Sequence, residues 1–243
     1  MPEGPSIVIL KEAVQQFAGH EVISVSGNSK IDMNRLKNKT VTAFKSWGKH
    51  FLICFEDFTL KVHLLMFGTY RINERKDSTP RLSLVFSNGE LNLYTCSIKF
   101  LEGNVNLHYD WSADVMNEDW DPKLAQKKLK KIPEQMICDT VLDQNIFSGV
   151  GNIIKNEVLY RTFVHPESLT GKIPPDLLDT IIDECSIYSF EFLEWKKNYQ
   201  LRNHWLAYTK KICLRCNLPF QYKKTGLKMR RSFFCPNCQT LYL

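Results

Sequence analysis

The sequence predicts an α+β protein in which an N-terminal helix plus an antiparallel β-sandwich come before a helical region and a four-cysteine ribbon. Three observations carry that expectation. Short runs rich in β-branched and aromatic residues fill positions 21–108, helix-period patterns take over after Asp121, and the chain ends in two C-x2-C pairs separated by eighteen residues. At 243 residues, 44% of them hydrophobic and 24% charged, the chain has enough apolar surface for real cores.

Positions 5–20 place Ile7, Leu10, Val14 and Phe17 on one face, flanked by Val8 and Ala13, which predicts an amphipathic helix that Gly19 can stop. Strands are expected over 22–25, 40–47, 50–55, 60–65, 82–86 and 91–94, with turn residues between them. Asn88-Gly89 lies between two alternating runs and is a hairpin signal, and Gly48-Lys49 marks another tight reversal. The acidic, irregular stretch 111–120 reads as a domain boundary, and Asp121-Pro122 then offers an N-cap with proline at the first helical position. Helices are expected over 123–131, 134–142 and 153–160. A long fourth opens at Pro174-Pro175-Asp176 and runs through Leu177, Leu178, Ile181, Ile182, Cys185, Tyr188 and Phe192. A basic linker over 196–211 leads to the ribbon, so the expected domains are 1–115, 120–200 and 205–243.

The net charge of +6 is unevenly placed. From Lys196 onward there are 11 Lys and Arg and no Asp or Glu, so the preceding part carries 21 basic and 26 acidic groups, a net of −5. A basic block of this kind attracts polyanions, of which nucleic acid is the commonest inside cells. No apolar run approaches the roughly 20 residues that span a bilayer, and the acidic N-terminus has no positive region feeding an apolar stretch, so an intracellular protein with no membrane partner is expected. In a reducing compartment Cys213, Cys216, Cys235 and Cys238 have the spacing of a tetrahedral structural zinc site. Disulfides at these positions would require a secreted protein. The remaining Cys54, Cys96, Cys138 and Cys185 stand singly in apolar surroundings, as small buried hydrophobes do.

Two short stretches could carry chemistry. If Met1 is removed, Pro2 becomes a secondary amine able to attack a sugar aldehyde carbon and form an iminium, with Glu3 beside it as proton donor. The same residues also suit ordinary helix punctuation. Gly149-Val150-Gly151-Asn152 precedes a helix, where main-chain N–H groups can face a phosphate and Asn152 can cap the helix or bond a phosphate oxygen; a plain helix connection is the alternative.

Taken in order, Met1-Pro2-Glu3-Gly4-Pro5, Trp47-Gly48-Lys49-His50, Gly149-Val150-Gly151-Asn152, His165-Pro166 and the terminal cysteines ending Phe233-Phe234-Cys235-Pro236-Asn237-Cys238-Gln239 resemble the formamidopyrimidine-DNA glycosylase / endonuclease VIII family over nearly the whole chain. That resemblance implies a helix-two-turn-helix domain with a C-terminal zinc finger. It also implies a monomeric, bifunctional base-excision repair enzyme that acts on damaged double-stranded DNA, in the cytoplasm with the nucleoid in a bacterium and otherwise wherever the DNA lies. It further implies that Pro2 attacks C1′, that Glu3 protonates the opening deoxyribose ring, and that Lys49 grips a phosphate beside the lesion and assists elimination. Gly149, Gly151 and Asn152 would hold a phosphate, and Arg230, five positions before Cys235, would straddle the kinked backbone, with Arg231 competing for the role. Met66, in His63-Leu64-Leu65-Met66-Phe67-Gly68, falls where the family places the side chain that fills the void left by an extruded base, and Phe67 could help; from the residues alone this pair reads as core.

The sequence departs from the family pattern at two places. Ser6 stands where the family usually has a second acid, associated with proton handling at the damaged base. Cys96-Ser97-Ile98-Lys99-Phe100 stands where the formamidopyrimidine branch has Asp-Pro-Arg-Arg-Phe-Gly, so only Lys99 and Phe100 keep the basic-aromatic pair expected to face DNA. Residues 192–208 are also short for the loop that caps 8-oxoguanine in that branch. Together these features place the chain nearer endonuclease VIII and favour oxidised pyrimidines. Ser6 leaves two alternatives open, an AP lyase only and a catalytically impaired damaged-DNA-binding protein.

Overall fold

Glu3 stands at the N-cap of helix α1 (Gly4–Ala13), which begins with proline in its first turn and buries Ile7 and Leu10. The computed structural model describes residues 2–243; Met1, and with it the expected processing step, lies outside the described residues. The helix is shorter than its apolar pattern predicts. After Val14 a single 3-10 turn (Gln15–Phe17) delivers Phe17 to the core, where its ring stacks on Phe86 at 4.6 Å.

Six strands follow: β1 (Ser24–Ser26), β2 (Ala43–Trp47), β3 (His50–Cys54), β4 (Phe58–Ile72), β5 (Leu82–Phe86) and β6 (Gly89–Glu102). They pair antiparallel in the order β1-β5-β6-β4-β3-β2. Phe86 pairs with Gly89, so the β5–β6 reversal is Ser87-Asn88, one residue earlier than the Asn-Gly signal suggests. Trp47 pairs with His50, which leaves Gly48-Lys49 as a two-residue hairpin tip. Phe51, Ile53, Leu60 and Val62 from one end of the strand order share a buried cluster with Leu82, Leu84 and Leu91 from the other, and α1 joins the same cluster. Each such side chain contributes roughly 1.5–3 kcal/mol on burial, so this apolar interior holds the unit.

A second compact unit begins at Trp111. Helix α2 (Pro122–Leu129) starts as its sequence indicates, with Asp121 accepting from Lys123 N at 2.9 Å and Leu124 N at 3.0 Å. The helix expected over 134–142 shrinks to α3 (Ile137–Thr140). The cause is tertiary: Ile137 and Cys138 donate their N–H groups to the Ser168 and Pro166 carbonyls, so the approach to α3 is spent on a neighbouring loop. Helices α4 (Asn152–Arg161) and α5 (Pro175–Lys197) form the centre, and a hairpin of β7 (Gln221–Thr225) and β8 (Arg230–Phe234) closes the chain. Every residue from Asn152 to Tyr160 is buried, including Lys155, Asn156 and Glu157. The isolated cysteines Cys54, Cys96, Cys138 and Cys185 are all buried and free.

Candidate nucleic-acid interface

In the first unit the candidate pair, Pro2 and Glu3, lies at the start of α1. Glu3 is fully buried, and Pro2 is partly exposed beside it. The Glu3 carbonyl accepts from Ser6 N at 2.8 Å, which sets the first turn. Ser6 is buried too, and its hydroxyl has no hydrogen-bond partner among the described residues. Helix α1 packs on β2 and β3, the two strands whose connecting tip carries Lys49.

Two histidines not expected at the site lie beside Lys49. His50 and His63 face each other across β3 and β4, with ring centroids 5.4 Å apart, and neither Nδ1 has a partner among the described residues. Burial, followed by the charge of Lys61, pushes His50 down to about 4. Burial and then Lys49 push His63 down as well. Both imidazoles are therefore neutral near pH 7 and add no positive charge to that of Lys49 and Lys61. The available signal was register: two histidines, one just after a two-residue turn and one on the next strand.

The expected void-filling residues sit on a deformation of β4. Leu64 pairs with Cys96 and Thr69 with Tyr94, so Leu65-Met66-Phe67-Gly68 oppose Thr95 alone, whose φ is 50°. Such a bulge re-aims side chains. Met66 is 55% exposed and Phe67 79%, so the reading of this pair as core, drawn from the residues by themselves, is overturned. Gly68 makes the tight path possible, since a Cβ there would lie 2.8 Å from Leu64 Cβ, Leu65 N and Thr95 O. On β6, Lys99 is exposed opposite Lys61. Phe100 is half-buried, packed edge-on to Phe58 at 5.2 Å and under the Arg35 guanidinium at 4.6 Å, so the lysine is the more exposed of that pair.

In the second unit Gly149 sits at φ 101°, and its N–H donates to Gln144 Oε1 at 3.2 Å while the Val150 N–H goes to Phe147 O. Two of the turn's donors therefore brace the turn itself. Gly151, not Asn152, is the N-cap of α4. Asn152 donates from Nδ2 to the Arg231 carbonyl at 3.0 Å, and its Oδ1 has no partner among the described residues. Lys155 Nζ and Asn156 Nδ2 reach the same carbonyl, each at 3.2 Å. Asn156 Oδ1 accepts from Phe233 N at 2.7 Å. Strand β8 is thereby clipped to α4 by groups that the sequence reading left unremarked.

The basic block is partly consumed within this unit. Arg215 lies over the Tyr160 and Phe163 rings at 3.6 and 3.8 Å and donates to Tyr160 O. Lys223 pairs with Glu167. Arg230 and Arg231 are exposed, with no ion pair among the described residues, and these are the two that the sequence reading singled out.

The sulfur atoms of Cys213, Cys216, Cys235 and Cys238 all lie within 4.8 Å of one another. Burial raises the Cys213 thiol, but hydrogen bonding with Tyr160 and with the Arg215 and Cys216 backbone outweighs it and holds the group at about 6. Gln239 anchors the cluster, accepting from Cys235 N and donating to the carbonyls of Leu159, in the last turn of α4, and of Val164 just beyond it. Four converging sulfurs on a braced loop suit one tetrahedral soft-metal ion.

Known proteins show the same layout. Residues 1–101 match the model of the formamidopyrimidine-DNA glycosylase N-terminal domain, and 112–187 that of the formamidopyrimidine-DNA glycosylase H2TH domain. Among curated relatives, endonuclease 8-like 3 of Xenopus laevis is 26% identical over 90% of this chain and 38% of its own length. Endonuclease 8-like 2 of Bos taurus is 32% identical over 74% of this chain and 58% of its own. Formamidopyrimidine-DNA glycosylase of Lactococcus lactis subsp. cremoris is 27% identical over 98% and 99%. This chain thus spans well under half the length of the endonuclease 8-like 3 relatives. In fold it is similar to the Lactococcus lactis glycosylase bound non-covalently to DNA containing an AP site, with a TM-score of 0.87 at 24% identity over 98% of this chain and 99% of that one. It is also similar to a viral DNA glycosylase, with a TM-score of 0.85 at 23% identity over 98% and 100%.

Proposed function

The chain belongs to the formamidopyrimidine-DNA glycosylase / endonuclease VIII family, and from that premise we propose that it is a base-excision repair DNA glycosylase with AP lyase activity on double-stranded DNA. The observation that carries this reading is the buried Glu3 carboxyl group beside the partly exposed Pro2 at the start of α1. After removal of Met1, the Pro2 nitrogen attacks C1′ and the base departs with the glycosidic electron pair. Glu3 protonates O4′ as the ring opens, which leaves an iminium between Pro2 and C1′. Loss of a C2′ proton then expels the 3′ phosphate and nicks the strand, and water releases Pro2. Lys49, on a short rigid turn, supplies a fixed positive charge for the phosphate beside the lesion.

Met66 and Phe67, held out by the β4 bulge, fill the space left in the base stack, while Arg230, Arg231 and the exposed Lys99 meet the backbone. Oxidised pyrimidines are the favoured lesions; a Lactococcus lactis relative of similar fold has been solved with DNA containing one. Cys213, Cys216, Cys235 and Cys238 would hold a structural zinc ion, which ties the base of the β7–β8 hairpin without taking part in the reaction.

Ser6 supports a second reading, in which base release is slow and nicking of existing abasic sites predominates. Its buried hydroxyl stands where the family has an acid, and a hydroxyl is a poor proton shuttle at neutral pH. Borohydride trapping tests both readings. Processed protein should form a covalent complex with abasic duplex, and Pro2→Gly or retention of Met1 should abolish it; absence of a complex with the processed wild type would sink the lyase assignment. Trapping on abasic DNA without trapping on a panel of oxidised-base duplexes selects the second reading.

A further inference from the structure

The tip of the β7–β8 hairpin is gripped from outside the cysteine cluster by one acidic side chain. Asp139, on α3 and buried, accepts from Leu227 N at 2.6 Å through Oδ2 and from Lys228 N at 3.1 Å through Oδ1. Lys228 Nζ reaches the Asp139 carbonyl at 3.3 Å. The approach is so close that only glycine fits at the preceding position: Gly226 lies at φ 66°, and a Cβ there would collide with the Asp139 carboxylate. The next turn residue, Met229, is itself held at φ 47° although it is not glycine. Immediately after it come Arg230 and Arg231.

A carboxylate under a cationic hairpin works against attraction of a polyanion, so its presence calls for a compensating role. Two N–H groups bound to one carboxylate fix the direction in which the turn leaves β7 and re-enters β8, with charge-assisted bonds stronger than neutral ones. The Arg231 carbonyl, held by Asn152, Lys155 and Asn156, fixes the strand just beyond. The hairpin is therefore clamped at its tip and along β8 independently of the cysteines at its base.

We propose that Asp139 is a positioning residue for DNA binding: by capping the Gly226–Met229 turn it presents Arg230 preorganised toward the phosphate backbone. This rests on the DNA-binding reading above. Asp139 itself touches no DNA. Its contribution is the ordering of the turn, which a loose turn would have to undergo at the moment of binding.

The test uses the full chain with Asp139→Asn, which keeps one acceptor oxygen, and Gly226→Ala, which pushes on the same carboxylate from the other side. Amide exchange at Leu227 and Lys228 should accelerate about tenfold or more in both variants, while zinc content stays at the wild-type level. Affinity for duplex containing a tetrahydrofuran abasic analogue should fall about tenfold, with the salt slope reduced by about one phosphate contact. In an Arg230→Ala background the Asp139→Asn loss should shrink to about twofold or less, because both changes remove the same contact. Asp139→Asn and Arg230→Ala losses that simply add, or unchanged exchange at the two amides, would overturn the proposal. If wild type fails to bind the duplex at all, the DNA-binding reading fails and carries this inference with it; if wild type binds and Asp139→Asn binds equally well, the inference alone fails.

Discussion

The two units position their functional groups by different physics. In the first unit the interior is almost wholly apolar, and the candidate groups stand at interruptions of regular structure: Glu3 at a helix start, Lys49 on a two-residue turn, Met66 and Phe67 on a bulge. Shape places them. In the second unit the central helix α4 buries Lys155, Asn156 and Glu157, and those groups, with Asp139 from α3, seize backbone atoms of the segments after α5. There directed polar bonds do the placing. A shape-positioned site tolerates loss of an exposed side chain without loss of fold, whereas a site held by buried charges loses structure when a single partner goes.

Glu157 offers the most severe way to break the comparison. Fully buried, it accepts from Leu206 N at 2.8 Å, Ala207 N at 3.0 Å and Tyr208 N at 2.7 Å, and so anchors the segment leading into the cysteine ribbon. Burial raises its pKa while those three N–H groups pull it down. Glu157→Gln turns one acceptor into a donor facing an N–H, and a loss of about 2–4 kcal/mol is expected, read as a lower denaturation midpoint. A loss no greater than that of an exposed substitution would erase the distinction between the units.

Gly68→Ala probes the first unit. The new methyl meets Leu64 and the Thr95 carbonyl, and overpacking of this kind costs about 1–3 kcal/mol. It should also shift the bulge and weaken binding to abasic duplex. Phe67→Ala, by contrast, should change stability by no more than about 0.5 kcal/mol, because the ring is exposed, while binding to abasic duplex falls. A large stability loss for Phe67→Ala would mean that the ring is part of the core after all.

The first unit also carries a pH dependence. His50 is held at about 4 and His63 below its ordinary value, so the unfolded chain binds protons that the folded chain refuses. Their contribution to stability is therefore full above the ordinary histidine pKa of about 6.5 and is lost as pH falls from there toward about 4. Midpoints measured between pH 7 and 4 should decline, and His50→Gln should flatten that decline. A decline of equal steepness in His50→Gln would assign it to other groups.

Much of the local structure in both units was legible from the residues because turn and capping chemistry is local. The Trp47-Gly48-Lys49-His50 reversal and the Asp121-Pro122 helix start emerged where their patterns lay. The exposure of Met66 was not legible, since an apolar pair at a strand end reads as core until the partner strand shows that four residues oppose one. The basic block was legible as a total but not in its distribution. Counting charges cannot reveal that Lys223 is spent on Glu167 and Arg215 on two aromatic rings, while Arg230 and Arg231 remain exposed.

What the residues determined by themselves is therefore the inventory: an acid beside a candidate amine, a lysine on a turn, four cysteines spaced for one ion, and two arginines before the third cysteine. These follow from short spacings, and short spacings fix local geometry whatever the rest of the chain does. Only the tertiary structure decided how the inventory is held. The carboxylate of Asp139 lies 88 and 89 residues from the turn amides it caps, and Glu157 lies 49 to 51 residues from the segment it anchors. Bonds across such separations form only when the hydrophobic core has brought the partners together, because the chain has no local pattern that pairs them.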